Sequence, residues 1–322
     1  MSAALHAALV VVLAVGLDLA FGDPPNRLHP VAWIGHALAT GRALLCRGGP
    51  VRLLLSGAVL TLGVIAVSAW AGDLATSLAS ALGPAGLVLE AAALKATVSL
   101  RGLAAAARSV AAALERDALD QARARLGWHL VSRPTARLDA GQVASGAIES
   151  VAENLTDAFV APVALFLVFG LPGALAYRAL NTADTMLGYR DGALEYFGKV
   201  AARLDDAASF VPARMAALAI VVASGVSAVG AWSAMARDHA RTASPNAGWT
   251  MAAMAGALGV TLQKPGAYRL GRGPMPVAAD IERSIRIAAR AAALTLLGLM
   301  SLRIVLENSR PGSILAMLAS WR

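Results

Sequence analysis

Long apolar runs recur along this chain, separated by stretches in which polar and charged residues gather. Residues 3–21, 53–71, 74–94, 159–176, 213–235 and 288–306 are each apolar over roughly the 20 residues a helix needs to cross a bilayer. Between them lie the polar stretches 22–52, 95–158, 177–212 and 236–287. The pattern predicts an all-α, polytopic membrane protein of about 4–6 spans, built as a single integral-membrane domain over residues 1–322. Ala71-Gly72-Asp73 reads as a tight connection that makes a hairpin of the second and third runs. Leu100, Leu103, Val110 and Leu114 fall on one stripe, which predicts one amphipathic helix outside the bilayer over 95–126. The run at 159–176 has two readings. It is long enough to cross, but it carries Pro162 and the breaker GLPG at 170–173, as a re-entrant hairpin lining a protein-walled cavity would.

Composition supports this frame. The chain is 57% hydrophobic and 15% charged, whereas a soluble domain is nearer a quarter charged. The net charge of +8 reflects arginines in the loops rather than a nucleic-acid surface, since no compact basic patch with interleaved aromatics is present. Arg27, Arg42, Arg47 and Arg52 follow the first run and nothing basic precedes it, so the N-terminus is expected outside and 22–52 in the cytoplasm. The first run lacks a basic leader and reads as a retained span, not a signal peptide. Cys46 is the one cysteine, which excludes an intrachain disulfide.

The candidate chemistry lies at the ends of the apolar runs. In ESVAENLTDAF (149–159), Glu149, Glu153 and Asp157 are spaced i, i+4, i+8 with Asn154 among them. On a helix these carboxylates share one face and repel, an arrangement that suits a cation such as Mg²⁺ or a substrate ammonium. Farther on, Asn181 and Asp184 share a face, ARLDD supplies Arg203, Asp205 and Asp206, and Arg214 opens the next apolar run. Arginine is the natural bidentate partner of phosphate or carboxylate, although pairing with these aspartates is an equally open role. Ser244 and Asn246 in SPNAG read as a turn capping a helix N-terminus, where anions are favoured. Asp23 and His29 are the reactive types in GDPPNRLHPVAWIG (22–35). No paired His or Cys motif points to zinc, and neither a P-loop nor a dinucleotide fingerprint is present, so NAD and flavin are not expected.

Taken together, GDPPNRLHPVAWIG, VSRPTARLD (131–139), ESVAENLTDAFVAP (149–162), YRALNTADTMLGY (177–189), FGKVAARLDD (197–206), PAR (212–214) and SPNAGWTMAAMAGALGV (244–260) resemble, in order, the membrane-bound adenosylcobinamide-phosphate synthases of cobalamin biosynthesis. The chain departs from the family pattern at Ala158, where glycine is expected, at Arg178, where lysine is usual, and at Ser209, where asparagine is expected. The resemblance implies an amide ligase that joins aminopropanol, or its O-phosphate, to the free propionate of adenosylcobyric acid, a corrinoid. ATP with Mg²⁺ would activate the carboxylate through an acyl phosphate. On this reading Glu149, Glu153 and Asp157 hold Mg²⁺ or take the ammonium proton, and Asp184, Asp205 and Asp206 form a second carboxylate set. Asn154 and Asn181 orient oxygens, Arg133, Arg203 and Arg214 neutralise phosphates, and Tyr189, Ser244, Asn246, Asp23 and His29 are peripheral binding candidates. The expected setting is a multi-pass protein of the cell membrane with its site on the cytoplasmic side. Its partners would be the corrinoid, aminopropanol phosphate and membrane lipid, with association with other cobalamin-pathway enzymes left open. The alternatives are a membrane transporter or a corrinoid-binding scaffold. Intramembrane acids also mark transport pathways, but the polar residues here gather at run ends and no similar halves are visible.

Overall fold

The structure, a computed structural model, describes residues 2–308. Ser2 accepts the Leu5 N–H and starts α1 (Ala3–Phe21), which stops at Gly22 in the left-handed region, φ 68°. Pro30 opens α2 (Pro30–Leu45), its first turn capped by the His29 ring, and Pro50 opens α3 (Pro50–Ala81). At 32 residues α3 is about 48 Å long and exceeds the hydrocarbon core of a bilayer.

The expected hairpin at Ala71-Gly72-Asp73 is not there. α3 runs straight through it, and the chain turns at Gly83–Ala85 before α4 (Gly86–Lys95), so the runs 53–71 and 74–94 are not two separate spans. Gly72 serves close approach instead: a Cβ there would lie 2.6 Å from the Pro172 nitrogen of another helix. Glycine inside an apolar helix marks a packing contact as readily as a turn.

The single amphipathic helix expected over 95–126 is also divided. α5 (Leu100–Leu114) and α6 (Leu119–His129) are separated at Asp117, which takes φ 54°. A capping box between Asp139 and Gln142 starts α7 (Ala140–Leu155), which passes through a π-helical turn, Thr156–Val160, into α8 (Ala161–Leu187). Gly170 interrupts α8 with φ 70° and ψ −162°. There the chain reverses. Tyr177 Oη donates to Asp157 Oδ1 at 3.2 Å, whereas twenty residues of straight helix would hold them about 30 Å apart. Of the two readings left open for 159–176, a straight crossing helix is not observed: the chain folds into a hairpin whose arms meet at Gly170.

After the short α9 (Leu194–Phe197) and α10 (Lys199–Ala208), the run expected as one span over 213–235 is broken into α11 (Phe210–Ala223) and α12 (Ala228–Asp238), with Gly225 at φ 55° between them. Trp249 stacks on His239 at 4.1 Å between centroids and has the Arg214 guanidinium 4.8 Å from its own ring centre. A straight helix would hold residues 214 and 239 about 37 Å apart, so this run is a second hairpin. α13 (Ala247–Leu258) and an antiparallel pair, β1 (Leu262–Lys264) with β2 (Tyr268–Leu270), lead into α14 (Ala278–Asn308).

Among the described residues four helices are long and apolar enough to cross a membrane, or up to five if the bent pair α10–α11 counts as one span. One of the four is the continuous 140–187 segment that folds back on itself. The described residues are thus all-helical but for one small β pair. Its main core packs residues of α1, α4, α5, α7, α8, α11, α13 and α14 together. Large apolar side chains such as Leu55, Val59, Trp70, Phe169 and Val226 face outward, a surface that lipid would cover and water would not favour. Glu307 accepts the Ala3 and Ala4 N–H groups, so α14 ends beside the start of α1.

Candidate functional site

α7 was expected to present Glu149, Glu153 and Asp157 as one acidic row. The structure divides the row. Glu149, 4% exposed, is saturated: it accepts from Ser145 Oγ at 2.7 Å, Tyr268 Oη at 2.9 Å and Arg133 Nη2 at 3.1 Å. Burial, and next the charge of Glu149, push the Tyr268 hydroxyl pKa up, so it remains a donor. Glu153, one turn on, faces a cavity instead. The π turn then shifts the register, so Thr156 and Asp157 also line that cavity. Extra-residue turns of this kind recur at functional sites.

The cavity, about 220 Å³, lies where both hairpins open. Five carboxylates line it: Glu153, Asp157, Asp184, Asp205 and Asp206. Among the described residues lining it, Arg190 is the one cation. Thr156, 4% exposed, presents a buried Oγ1 with no hydrogen-bond partner. Asn181 Nδ2 donates to Asp205 Oδ1 at 3.4 Å. Ser244 and Asn246 complete the wall; the Ser244 hydroxyl accepts the Asn246 and Ala247 N–H groups and so caps α13, as the turn predicted. A cleft of about 560 Å³ shares Glu153, Asp157 and Asp184 with the cavity and extends past Asn154, Asn181 and Tyr189 to the exposed Trp128. Asn154 also donates to the Ser150 carbonyl at 3.0 Å.

Ten sequence candidates therefore converge: Glu153, Asn154, Asp157, Asn181, Asp184, Tyr189, Asp205, Asp206, Ser244 and Asn246. Others do not reach the cavity. Arg133 is paired with Glu149. Arg214 lies 3.5 Å over the Phe210 ring and donates to Asn246 Oδ1 at 2.7 Å, while Asn246 donates to the Asp206 carbonyl at 2.8 Å, so Arg214 braces the wall. Arg203 stands in an adjoining pocket, 3.9 Å from Asp206.

Asp23 and His29 belong to a second polar cluster. Asp23 accepts from Lys95 Nζ at 2.5 Å and Ser99 Oγ at 2.6 Å, with His29 Nε2 at 3.6 Å. Burial raises the Asp23 pKa, but hydrogen bonds from His29, Lys95 and Ser99 outweigh it and hold the carboxyl below its usual range. Asp18, fully buried, caps the Leu100 and Arg101 N–H groups and lies 3.5 Å from Lys95. The Ser99 N–H donates to the Ala158 carbonyl at 3.2 Å, tying this cluster to the π turn. Sequence reasoning missed Thr156, Arg190 and Lys95. Arg190 carried a visible signal, since it directly follows the YRALNTADTMLGY block; Thr156 carried none, because only the π turn brings it to the cavity.

Glu149, Glu153 and Asp157 do not form a ready metal cage: among the described residues no group of three or more His, Cys, Asp or Glu is set to hold an ion. The donor set does fit Mg²⁺ shared with a phosphate, because that ion commonly takes one or two carboxylates and completes its shell with phosphate oxygens and water.

This arrangement defines a class: a helical membrane protein whose two helical hairpins carry a polar, carboxylate-rich pocket. A sequence profile of the CobD/Cbib protein family matches residues 11–297. The cobalamin biosynthesis protein CobD of Dehalococcoides mccartyi (strain CBDB1) is 43% identical over 269 residues, 82% of this chain and 86% of that protein. The probable cobalamin biosynthesis protein CobD of Methanothermobacter thermautotrophicus is 42% identical over 265 residues, 81% of this chain and 86% of that protein. The cobalamin biosynthesis protein CbiB of Salmonella paratyphi B is 36% identical over 280 residues, 84% of this chain and 86% of that protein. No solved structure matches the chain. The chain belongs to the CobD/CbiB family of cobalamin biosynthesis proteins.

Proposed function

We propose that this protein is an amide ligase of cobalamin biosynthesis, joining aminopropanol or its O-phosphate to the free carboxylate of adenosylcobyric acid at the expense of ATP. The observation that carries the reading is the convergence of motif blocks far apart in sequence on one cavity with five carboxylates and a single lining cation. A site of that charge suits a substrate ammonium, and it suits Mg²⁺ arriving with phosphate groups. Mg²⁺ would neutralise phosphate charge while the nucleotide transfers a phosphoryl group to the corrinoid carboxylate, giving an acyl phosphate whose phosphate leaves as the amine nitrogen forms the C–N bond.

The protein's own groups then have distinct tasks. Glu153 and Asp157 hold the ammonium, and one of them takes the proton the nitrogen must lose before it forms the C–N bond. Asp184 and Asp205, with Asn181 hydrogen-bonded to Asp205, would hold the metal. The wider cleft receives the larger partner, with the exposed Trp128 as a stacking surface. Open to one face, the cavity draws its charged substrates from the cytoplasm of a protein held in the cell membrane.

A transporter reading is favoured by one feature, the two hairpins of broken helix opening on one polar pocket, since transporters build sites this way. One experiment separates the two. The protein, purified in detergent, is given corrinoid, aminopropanol phosphate, ATP and Mg²⁺, and amide product is measured. Product that depends on all four supports the ligase; its absence, with corrinoid uptake into proteoliposomes, supports transport.

A further inference from the structure

We infer that a groove between α1, α5 and α14 is a site for one anionic phospholipid of the surrounding bilayer, its phosphate on Arg101 and Arg108 and an acyl chain against the back of α7. The groove, about 630 Å³, is of ligand size and shares no lining residue with the acidic cavity. Its walls are Val15 and Leu19 of α1 and Ile285, Ala292 and Leu296 of α14, two helices long and apolar enough to span. α5 adds Arg101 and Arg108, and no acid lines the groove. From Ile285 to Leu296 it runs about 16 Å along α14. That is close to half of a hydrocarbon core roughly 30 Å thick, the depth of one leaflet.

The two ends of the groove differ in chemistry. At the polar end Arg101 spends Nη1 on the Leu19 and Ala20 carbonyls in the last turn of α1, and Arg108 has its Nε 3.3 Å from Glu282 near the start of α14. Among the described residues neither Nη2 has a partner. Two guanidinium groups thus keep donors for a phosphate, which suits their planar fork. Past Arg290, α14 carries no charge until Arg303, so the other end is apolar. Cations at the mouth of an apolar groove between spanning helices are what selects an anionic lipid. A second apolar groove, about 640 Å³ and lined mainly by α2, α3 and α4, gives the contrast. Its one cation, Lys95, is already held by Asp18 and Asp23, so nothing there reads head-group charge. The floor of the α1–α14 groove is Val151, Leu155 and Phe159, whereas Glu153, Thr156 and Asp157 of the same segment line the acidic cavity. A lipid in the groove therefore braces from behind the stretch of α7 and the π turn that carries the site's acids.

The test is native mass spectrometry of the full chain in detergent, with dioleoyl phosphatidylglycerol and dioleoyl phosphatidylcholine as probes and thermal unfolding as a second readout. No readout depends on amide formation. The native chain should retain the anionic lipid about tenfold or more over the zwitterionic one, and the anionic lipid should raise the unfolding midpoint further, as a tighter ligand of the folded state does. The double variant Arg101→Gln, Arg108→Gln should bring the two lipids level in both readouts. Arg108→Gln alone, at a side chain 56% exposed and so safe for folding, should lower the preference about fivefold. Ala289→Phe, which fills the groove from an exposed position, should lower retention of both lipids. Arg286→Gln, Arg290→Gln, on α14 but outside the groove lining, should leave the preference in place. The inference is overturned if the native chain shows no preference or if Arg108→Gln keeps it whole. An equal fall in both double variants would overturn it too, by making the preference a diffuse surface attraction. Displacement of the anionic lipid by an equal concentration of glycerol 1-phosphate would do the same, by making the site one for a free phosphate.

Discussion

Glu149 and Glu153 stand one turn apart on the same helix and have opposite surroundings. Glu149 is met by an arginine, a tyrosine and a serine that use its lone pairs. Glu153 faces Asp157 and Asp184 across a cavity lined by Arg190 and, among the described residues, makes no ion pair. A carboxylate neutralised from within the chain holds elements together: Glu149 ties the 131–139 loop and β2 to α7. A set of carboxylates left facing one another stores repulsion that a cationic ligand relieves. The comparison separates scaffold from site more sharply than residue type does.

The comparison depends first on the hairpin, since only reversal at Gly170 brings Asp184 back beside Glu153. This gives an all-or-none expectation. With Cys46→Ser as background, single cysteines at Arg137 and Asp191, both exposed, should react with an impermeant thiol reagent from the same side of the membrane, and that side should be the cytoplasmic one. Labelling from opposite sides would dissolve the cavity; labelling of both from the periplasm would reverse its orientation.

Next in size is the effect on turnover. Glu153→Gln should lower amide formation about a hundredfold or more, the scale of a lost proton-transfer group, and should leave thermal stability unchanged or higher because like charges are relieved. A variant that fails to accumulate in the membrane would place Glu153 with Glu149 as scaffold. Glu149→Gln should do the reverse. It leaves Arg133 partly buried, 18% exposed, without its charge partner, so stability should fall by about 3 kcal/mol, at the lower end for a broken buried pair. The residual activity of the folded fraction, measured per folded molecule, should stay within a few-fold of native, and a selective loss of turnover would move Glu149 into the site.

Much of this was legible in the sequence. Apolar runs gave the helical membrane class, and α1 appears with the bounds the pattern set. Clustering of acids at run ends located the cavity, because a chain this apolar places charge only where it is used or paired. What could not be read was direction. A run of apolar residues looks the same whether the helix crosses or turns back, so Gly170 was ambiguous and the break at Gly225 was silent. Gly72 misled for the same reason: a glycine that admits a neighbouring backbone and one that makes a turn are the same letter. The π turn is invisible to a fixed helical period, and with it the placing of Thr156. Pairing is tertiary, so nothing in the i, i+4, i+8 row told Glu149 from Glu153.

The smallest expected effect sharpens the other side of the comparison, the paired acids. Asp238, whose side chain is fully buried, accepts from Arg237 at 2.7 and 3.0 Å and from the Gly271 N–H at 2.9 Å, and lies 3.2 Å from Arg241. Burial raises its pKa, but the hydrogen bonds from Arg237 and Gly271 and the charges of Arg237 and Arg241 outweigh it, so the folded carboxyl lies below its usual value. Asp23 is depressed in the same way by His29, Lys95 and Ser99. A carboxylate depressed in the folded state contributes stability that is fully present above its unfolded pKa, about 3.9, and is lost as the pH falls toward the folded pKa. Unfolding of the detergent-solubilised protein should therefore keep the full contribution of this pair, unchanged between neutral pH and about pH 5, and lose it progressively below about pH 4. Asp238→Asn should start from a lower midpoint at neutral pH and show a shallower decline in the acid window, because the group that must be protonated is gone. A decline as steep as that of the native chain would mean that Asp238 gains nothing from its arginines and that the acid sensitivity arises elsewhere.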